Sequence, residues 1–301
     1  MIHGVTRRHL ALLVVGVTAV SFSAVFVRLA EAPALAVAFY RCFFASVVLV
    51  PWAIMRHREA LRTVPRHERR LLVFAGVALA AHFATWIPSI SFTTIAAAAV
   101  LVQTMPIWVA LMGPAFGERT PRAAWLGIGV ALVGTVVIGG AGFGGGGRAL
   151  IGDLLATAGA MFAALYILLG RRVRQSLPVV PYTAVVYGVS ACGLGLAMVL
   201  SRTPFTGFSS QTWLLFLAIT IGPQFLGHTV FNYLLEHVRP SVVSVALLAE
   251  PVGATLLAAI FLDETPGAFT VIGAAVILVG VYLAIRAEAA AGREVAAPPL
   301  E

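Results

Sequence analysis

Two ionisable side chains lie deep inside long apolar runs, and they define the chemistry open to this chain. Arg41 sits within Ala38-Phe39-Tyr40-Arg41-Cys42, and Glu250 immediately precedes Pro251. A charge at membrane depth is costly, so it faces protein or a water-filled cavity and not lipid. Glu250 suits either the amine of a substrate or a coupling proton. The alternative is a buried pair, with Arg41 as partner, that holds helices together. Arg41 itself reads more as structure than as chemistry. Pro251 brings no N–H, which frees a backbone carbonyl about one turn earlier, near residue 247.

Polar side chains at i, i+4 spacing share one helix face. One run carries Gln224, His228 and Asn232; another carries His82, Trp86 and, a turn further on, Ser89. Gln103, Thr104 and Trp108 surround Pro106, Phe162 and Tyr166 stand a turn apart, and Ser21 and Ser23 lie mid-run. The reading is a cavity lined by His82, Trp86, Gln103, Trp108, Phe162, Tyr166, Gln224, His228, Asn232 and Glu250. Pro106 and Pro251 would be helix breaks that gate it. Trp86 and Trp108 lie deep enough to offer ring faces to an amine, although each aromatic taken singly is more readily core filling. Trp52, Trp125 and Trp213 sit near the ends of runs and read as interfacial anchors.

Other chemistry is poorly supported. Two histidines without a third ligand do not make a zinc site, and no metal or other cofactor is expected. No nucleophile–base pair or carboxylate cluster stands out, so an intramembrane enzyme is a remote reading. Cys42 and Cys192 both fall inside apolar runs and read as small buried hydrophobes.

The elements that must position these groups are membrane helices. Of the 301 residues 60% are hydrophobic and only 11% charged, against roughly a quarter charged in soluble domains. The net charge of +8 comes wholly from arginine. These arginines cluster between apolar runs, which points to membrane orientation and not to nucleic acid. Ten candidate spans cover about 10–30, 34–55, 71–91, 95–116, 123–141, 151–170, 180–200, 213–235, 241–262 and 267–286. Runs this long are helices and not barrel strands. The fold class is therefore an all-α integral membrane protein with ten transmembrane helices. With the N-terminus inside, sixteen arginines fall on the cytoplasmic side and three outside, which puts both termini in the cytoplasm. Thr6-Arg7-Arg8-His9-Leu10 has the look of a twin-arginine export signal, but the many spans that follow favour a retained first helix.

The chain repeats itself. An offset of 145 places Pro106 on Pro251, Phe116 on Phe261 and Thr120-Pro121 on Thr265-Pro266. An offset of 146 places His82 on His228, Glu118 on Glu264, Gly127 on Gly273 and Gly134 on Gly280. Five helices per copy make the copies inverted, and inverted repeats bind substrate near the midplane, where they meet. The expected units are a first repeat over 1–141, an outer linker over 142–149, a second repeat over 150–286 and a disordered tail over 287–301. The linker GFGGGGRA lacks the lysine and hydroxyl of a phosphate loop. Small residues on the fifth and tenth spans (Ala123, Gly127, Ala131; Gly273, Gly280, Ala284) mark a scaffold or a homodimer interface.

With these features the chain resembles the EamA family of the drug/metabolite transporter superfamily. The resemblance rests on Ala99–Pro106, Glu118, Pro121, Gly127 and Gly134 in the first copy. In the second it rests on Glu250-Pro251, Glu264, Pro266, Gly273 and Gly280, while Arg41 matches a recurrent arginine of the second helix. It implies ten helices of inverted topology around a cavity lined by helices 1–4 and 6–9. It further implies alternating access and export of small metabolites, amino acids and aromatic ones among them, across the bacterial inner membrane. The partners it implies are a small-molecule substrate and the lipid bilayer, with no nucleic acid. Nucleotide-sugar carriers share the superfamily with lysine-rich signatures, which a chain without lysine lacks.

Overall fold

The computed structural model describes residues 5–89, 91–92, 98, 101–139, 146–261 and 267–296, and all regular structure among them is helical. The helices are α1 (Arg7–Leu29), α2 (Ala34–Arg56), α3 (Arg58–Thr63), α4 (Arg66–Ser89) and α5 (Met105–Met112). After α5 come a short 3-10 turn over Gly113–Phe116, α6 (Arg122–Gly139), α7 (Gly146–Val173) and α8 (Val179–Leu200). The last four are α9 (Ser210–Leu234), α10 (Pro240–Leu247), α11 (Glu250–Phe261) and α12 (Ala268–Ala296). Eight segments are long and apolar enough to cross a membrane, with α10 and α11 counting together; Met105–Phe116 and Arg122–Val137 are shorter apolar helices. Among the described residues the eight coincide with segments expected from the sequence and the two shorter helices fall within two more, although most of the start of the fourth lies outside the described residues.

The helix starts follow local chemistry. Thr6 caps α1 by accepting the His9 N–H while His9 Nδ1 accepts the Thr6 N–H, so two otherwise orphaned donors are satisfied. Ser209 caps α9 through the Thr212 N–H. Pro240, Pro106 and Pro251 all fall in first helical turns, where a missing N–H costs nothing.

Helices from the two sequence halves interleave. The largest contacts are α6 with α12, α4 with α7 and α8, α2 with α8, and α1 with α9 and α11. Leu79, Phe83, Leu168, Tyr182, Tyr187 and Leu194 form the centre of the core, almost wholly buried. Val14, Met55, Phe74, Leu126, Leu200 and Phe269 point outward, as expected where the surroundings are hydrocarbon. At the α6–α12 seam the backbones touch. A Cβ on Gly134 would lie 2.7 Å from both the Gly273 carbonyl and the Ile277 nitrogen, and one on Gly280 would collide with the Ala131 backbone. Since 131 and 134 become 277 and 280 on adding 146, these are one contact seen in both copies. Gly127, Gly134, Gly273 and Gly280 are thus turned on the facing helix within the chain, in keeping with the scaffold alternative.

The two ends of the bundle differ. At the end carrying the N-terminus, Arg171 pairs with Glu118 at 3.0 Å and donates to the carbonyls of Leu235 at 2.7 Å and Glu236 at 3.0 Å. Arg174, nearly fully buried, donates to the Asn232 carbonyl at 2.9 Å, the Leu177 carbonyl and the Glu236 carboxylate. Burial lowers its pKa from the ordinary arginine value, and the adjacent Glu236 carboxylate opposes that shift. Arg239 and Ser241 hold Glu288, Ser176 donates to Glu68, and His9 stacks on His237. At the other end rings do the joining. Tyr40 stacks on Phe216 with centroids 4.8 Å apart, meets Trp213 edge-on at 4.9 Å, and donates to the Phe205 carbonyl.

Several expectations are corrected here. The tail expected to be disordered from Ala287 is helical through Ala296, because its alanine-rich sequence extends α12 and Glu288 is anchored. The linker expected over 142–149 is already helical from Gly146, its earlier residues lying outside the described set. Trp213 belongs to the aromatic cluster, whereas Trp52 and Trp125 are exposed, as anchors should be. Cys192 is exposed and not buried; Cys42 is buried.

Candidate functional site

A cavity opens where both halves meet. It is walled by α1, α2, α4, α7, α9 and α10, by the turn before α5 and by the first residue of α11. Of the residues singled out in the sequence, Arg41, His82, Trp86, Gln103, Tyr166, His228, Asn232 and Glu250 line it, together with Ser23. The two histidines of the repeat thus share one cavity, as their matched positions imply.

Three expected lining residues are elsewhere. Trp108 lies a turn beyond Thr104, to whose hydroxyl its Nε1 donates at 3.3 Å, and it packs on the core. Phe162 is only half-buried, and α7 presents Ala163, Tyr166 and Ile167 to the cavity instead. Gln224 stands behind Arg41. Gln224 lies in a π-helical stretch over Thr220–Thr229, and its oxygen is taken by Arg41, which stands between it and the cavity. The Thr229 hydroxyl reaching the Gln224 carbonyl five residues back belongs to this register. The sequence reading also passed over Phe83, whose ring lies 4.3 Å beneath the Arg41 guanidinium. Adjacent residues in a helix face different ways, so nothing in the spacing ties Phe83 to the stripe of His82.

The polar groups around the cavity fall into two sets. Some are fully engaged with protein: Tyr166 donates to Asn232 Oδ1 at 2.7 Å, Asn232 Nδ2 donates to Tyr187 at 3.2 Å, and Tyr187 meets Thr229 at 3.0 Å. This network joins α7, α8 and α9, so Asn232 spaces helices as well as lining the wall. The others retain bonding capacity. His82 Nδ1 is 2.9 Å from the Gly159 carbonyl, which can only accept, so Nδ1 carries the hydrogen and neutral His82 keeps an acceptor at Nε2. The Arg41 Nε donates to Gln224 Oε1 at 2.8 Å and Nη1 approaches Ser23 at 3.5 Å, while Nη2 has no partner. Gln224 Nε2 and Trp86 Nε1 are likewise buried without partners.

Both proline-containing segments break beside the cavity. Residues 103–104 form a turn before α5, and residues 248–249 form one before α11. Glu250 therefore stands at a helix N-terminus, where the backbone dipole favours a carboxylate. Gln103, from the other break, hydrogen-bonds its side chain. Ser21 ties the same break to α1 through the Glu250 carbonyl at 3.2 Å. The arrangement gives a largely apolar, partly open pocket with a guanidinium, a carboxylate, two imidazoles and aromatic faces, held by helices from both repeats. Among the described residues no group of three or more metal-ligating side chains is close enough to hold a metal ion.

Comparison with known proteins is consistent across methods. The EamA-like transporter family matches residues 8–140 and again residues 150–286. Two curated proteins of Archaeoglobus fulgidus, each described as an uncharacterized transporter, are similar along nearly their whole length. One is 27% identical over 286 residues, covering 92% of this chain and 97% of its own; the other is 26% identical over 262 residues, covering 87% and 90%. One solved crystal structure shares the fold with a TM-score of 0.77 at 22% identity, covering 95% of this chain and 99% of its own.

Proposed function

The chain belongs to the EamA-like transporter family, and we propose that it is a secondary carrier exporting small metabolites, amino acids foremost, across a bacterial inner membrane. The observation that carries the amino-acid reading is the pocket itself: a carboxylate, a guanidinium and aromatic faces in one cavity between the halves. An amphipathic cargo with a charged head and an apolar or aromatic side chain matches those walls in kind.

The mechanism we assign is alternating access of two inverted five-helix halves. Three observations support it. Contacts recur in pairs related by the repeat, α4 with α7 answering α9 with α1, and α5 with α7 answering α11 with α1. Segments expected on the cytoplasmic side, around Glu118, Arg171, Glu236 and Glu288, meet at one end of the bundle. Both halves also carry a break beside the cavity, at Pro106 and Pro251, where a helix can bend without losing a bond. Both termini would then be cytoplasmic.

The direct test is uptake of labelled phenylalanine and leucine into proteoliposomes. Saturable, mutually competing uptake is expected. If no amino acid moves or competes while a nucleotide sugar does, the cargo assignment is wrong. Glu250 separates two mechanisms. As a coupling proton site, Glu250→Gln abolishes transport driven by a pH gradient and spares exchange; equal loss of both places Glu250 in binding or structure.

A further inference from the structure

Arg41 carries a formal charge inside the bundle, yet its hydrogen bonds go to neutral oxygens of Gln224 and Ser23. Only 1% of the residue is exposed. Phe83 beneath it supplies a ring face but no countercharge. A buried cation with an N–H left over is expensive unless an anion joins it. Two further buried donors, Gln224 Nε2 and Trp86 Nε1, also have no partner. The Gln224 amide cannot be turned to relieve this, because Arg41 Nε needs its oxygen. The Arg41 Nη2 and Gln224 Nε2 donors therefore flank a single 2.8 Å hydrogen bond. Glu250 is the complementary group: a carboxylate at the same cavity, near enough to Arg41 for the two charges to interact, with Gln103 as its hydrogen-bond partner and no cation hydrogen-bonded to it among the described residues.

We propose that the cavity recognises a zwitterion by both its ends: Arg41, held from behind by Gln224, takes the carboxylate together with Trp86, and Glu250 takes the ammonium. This rests on the reading of the cavity as an amino-acid transport site, and it assigns Arg41 to recognition where the sequence alone favours structure. Arg41 and Glu250 already feel each other's charge across the cavity, and a cargo bridging them gives each a direct hydrogen-bonded partner, so a cargo lacking either end leaves one without such a partner.

The test uses the full chain in detergent and four probes of one shape: L-phenylalanine, L-phenylalaninamide, phenethylamine and 3-phenylpropanoate. Affinity is read by thermal shift and titration calorimetry. Phenylalanine is expected to bind best, with the three analogues weaker by about ten- to hundredfold, as for losing a hydrogen-bonded charge. In Arg41→Gln, phenylalanine and its amide should bind alike; in Glu250→Gln, phenylalanine and 3-phenylpropanoate should. Arg41→Lys keeps the charge and should keep part of the discrimination, which separates a recognition role from a fold role. Equal binding of phenylalanine, the amide and the amine by the unmodified chain overturns the carboxylate site while leaving an amine-exporting carrier standing. If none of the four binds or moves, and a cargo of another class does, the amino-acid reading falls and the zwitterion site with it.

Discussion

The two ends of the bundle are joined by different chemistry. At the N-terminal end, Arg171, Arg174 and Arg239 tie helix termini to Glu118, Glu236 and Glu288. At the other end Tyr40, Phe208, Trp213 and Phe216 pack as rings, and hydrogen bonds to backbone carbonyls complete the join. The arginines at the first end are among those whose clustering in the sequence predicts the cytoplasmic side, and here they hold that end together. The opposite end has few arginines to draw on and uses area instead. Ionic ties are discrete and yield to water and salt, whereas ring packing is insensitive to both.

That contrast can be tested by SDS or thermal unfolding in detergent, taking the largest effect first. Phe216→Ala empties the centre of the ring cluster and should cost about 3–5 kcal/mol, as buried aromatic truncations do, equally at low and high salt. Arg174→Met leaves the buried carbonyls of Asn232 and Leu177 without donors and should cost on the order of 3 kcal/mol. Tyr40→Phe removes one hydrogen bond but keeps the stack, for about 1 kcal/mol. Glu118→Gln breaks a partly exposed pair and should cost under about 1 kcal/mol, a loss that disappears at high salt. Salt-dependent melting of Phe216→Ala, or a Glu118→Gln effect that persists in high salt, would erase the distinction between the ends.

Much of this architecture is legible in the sequence because lipid removes alternatives. Long apolar runs must be helices, and arginine placement groups their ends correctly: Glu118, Arg171 and Glu236 do meet. The offsets of the repeat anticipate the glycine seam and the sharing of one cavity by His82 and His228. Failures occur where tertiary contacts decide. The i, i+4 rule cannot foresee that Arg41 takes the Gln224 oxygen, so the stripe places Gln224 on the wall while the residue stands behind it. Phe83 was invisible because its contact with Arg41 is tertiary. The tail was read from its polarity, and its helix propensity together with the Ser241 and Arg239 contacts to Glu288 prevailed.

The seam between α6 and α12 has a mechanical consequence. At Gly134 and Gly280 the glycine backbone meets the backbone of the facing helix, at Gly273 and Ile277 and at Ala131, closer than a Cβ would allow. Sliding one helix past the other by a residue would drive a Cβ into that notch, so the pair is locked in register as well as in place. Replacing either glycine with valine would therefore force the two helices apart along their whole contact.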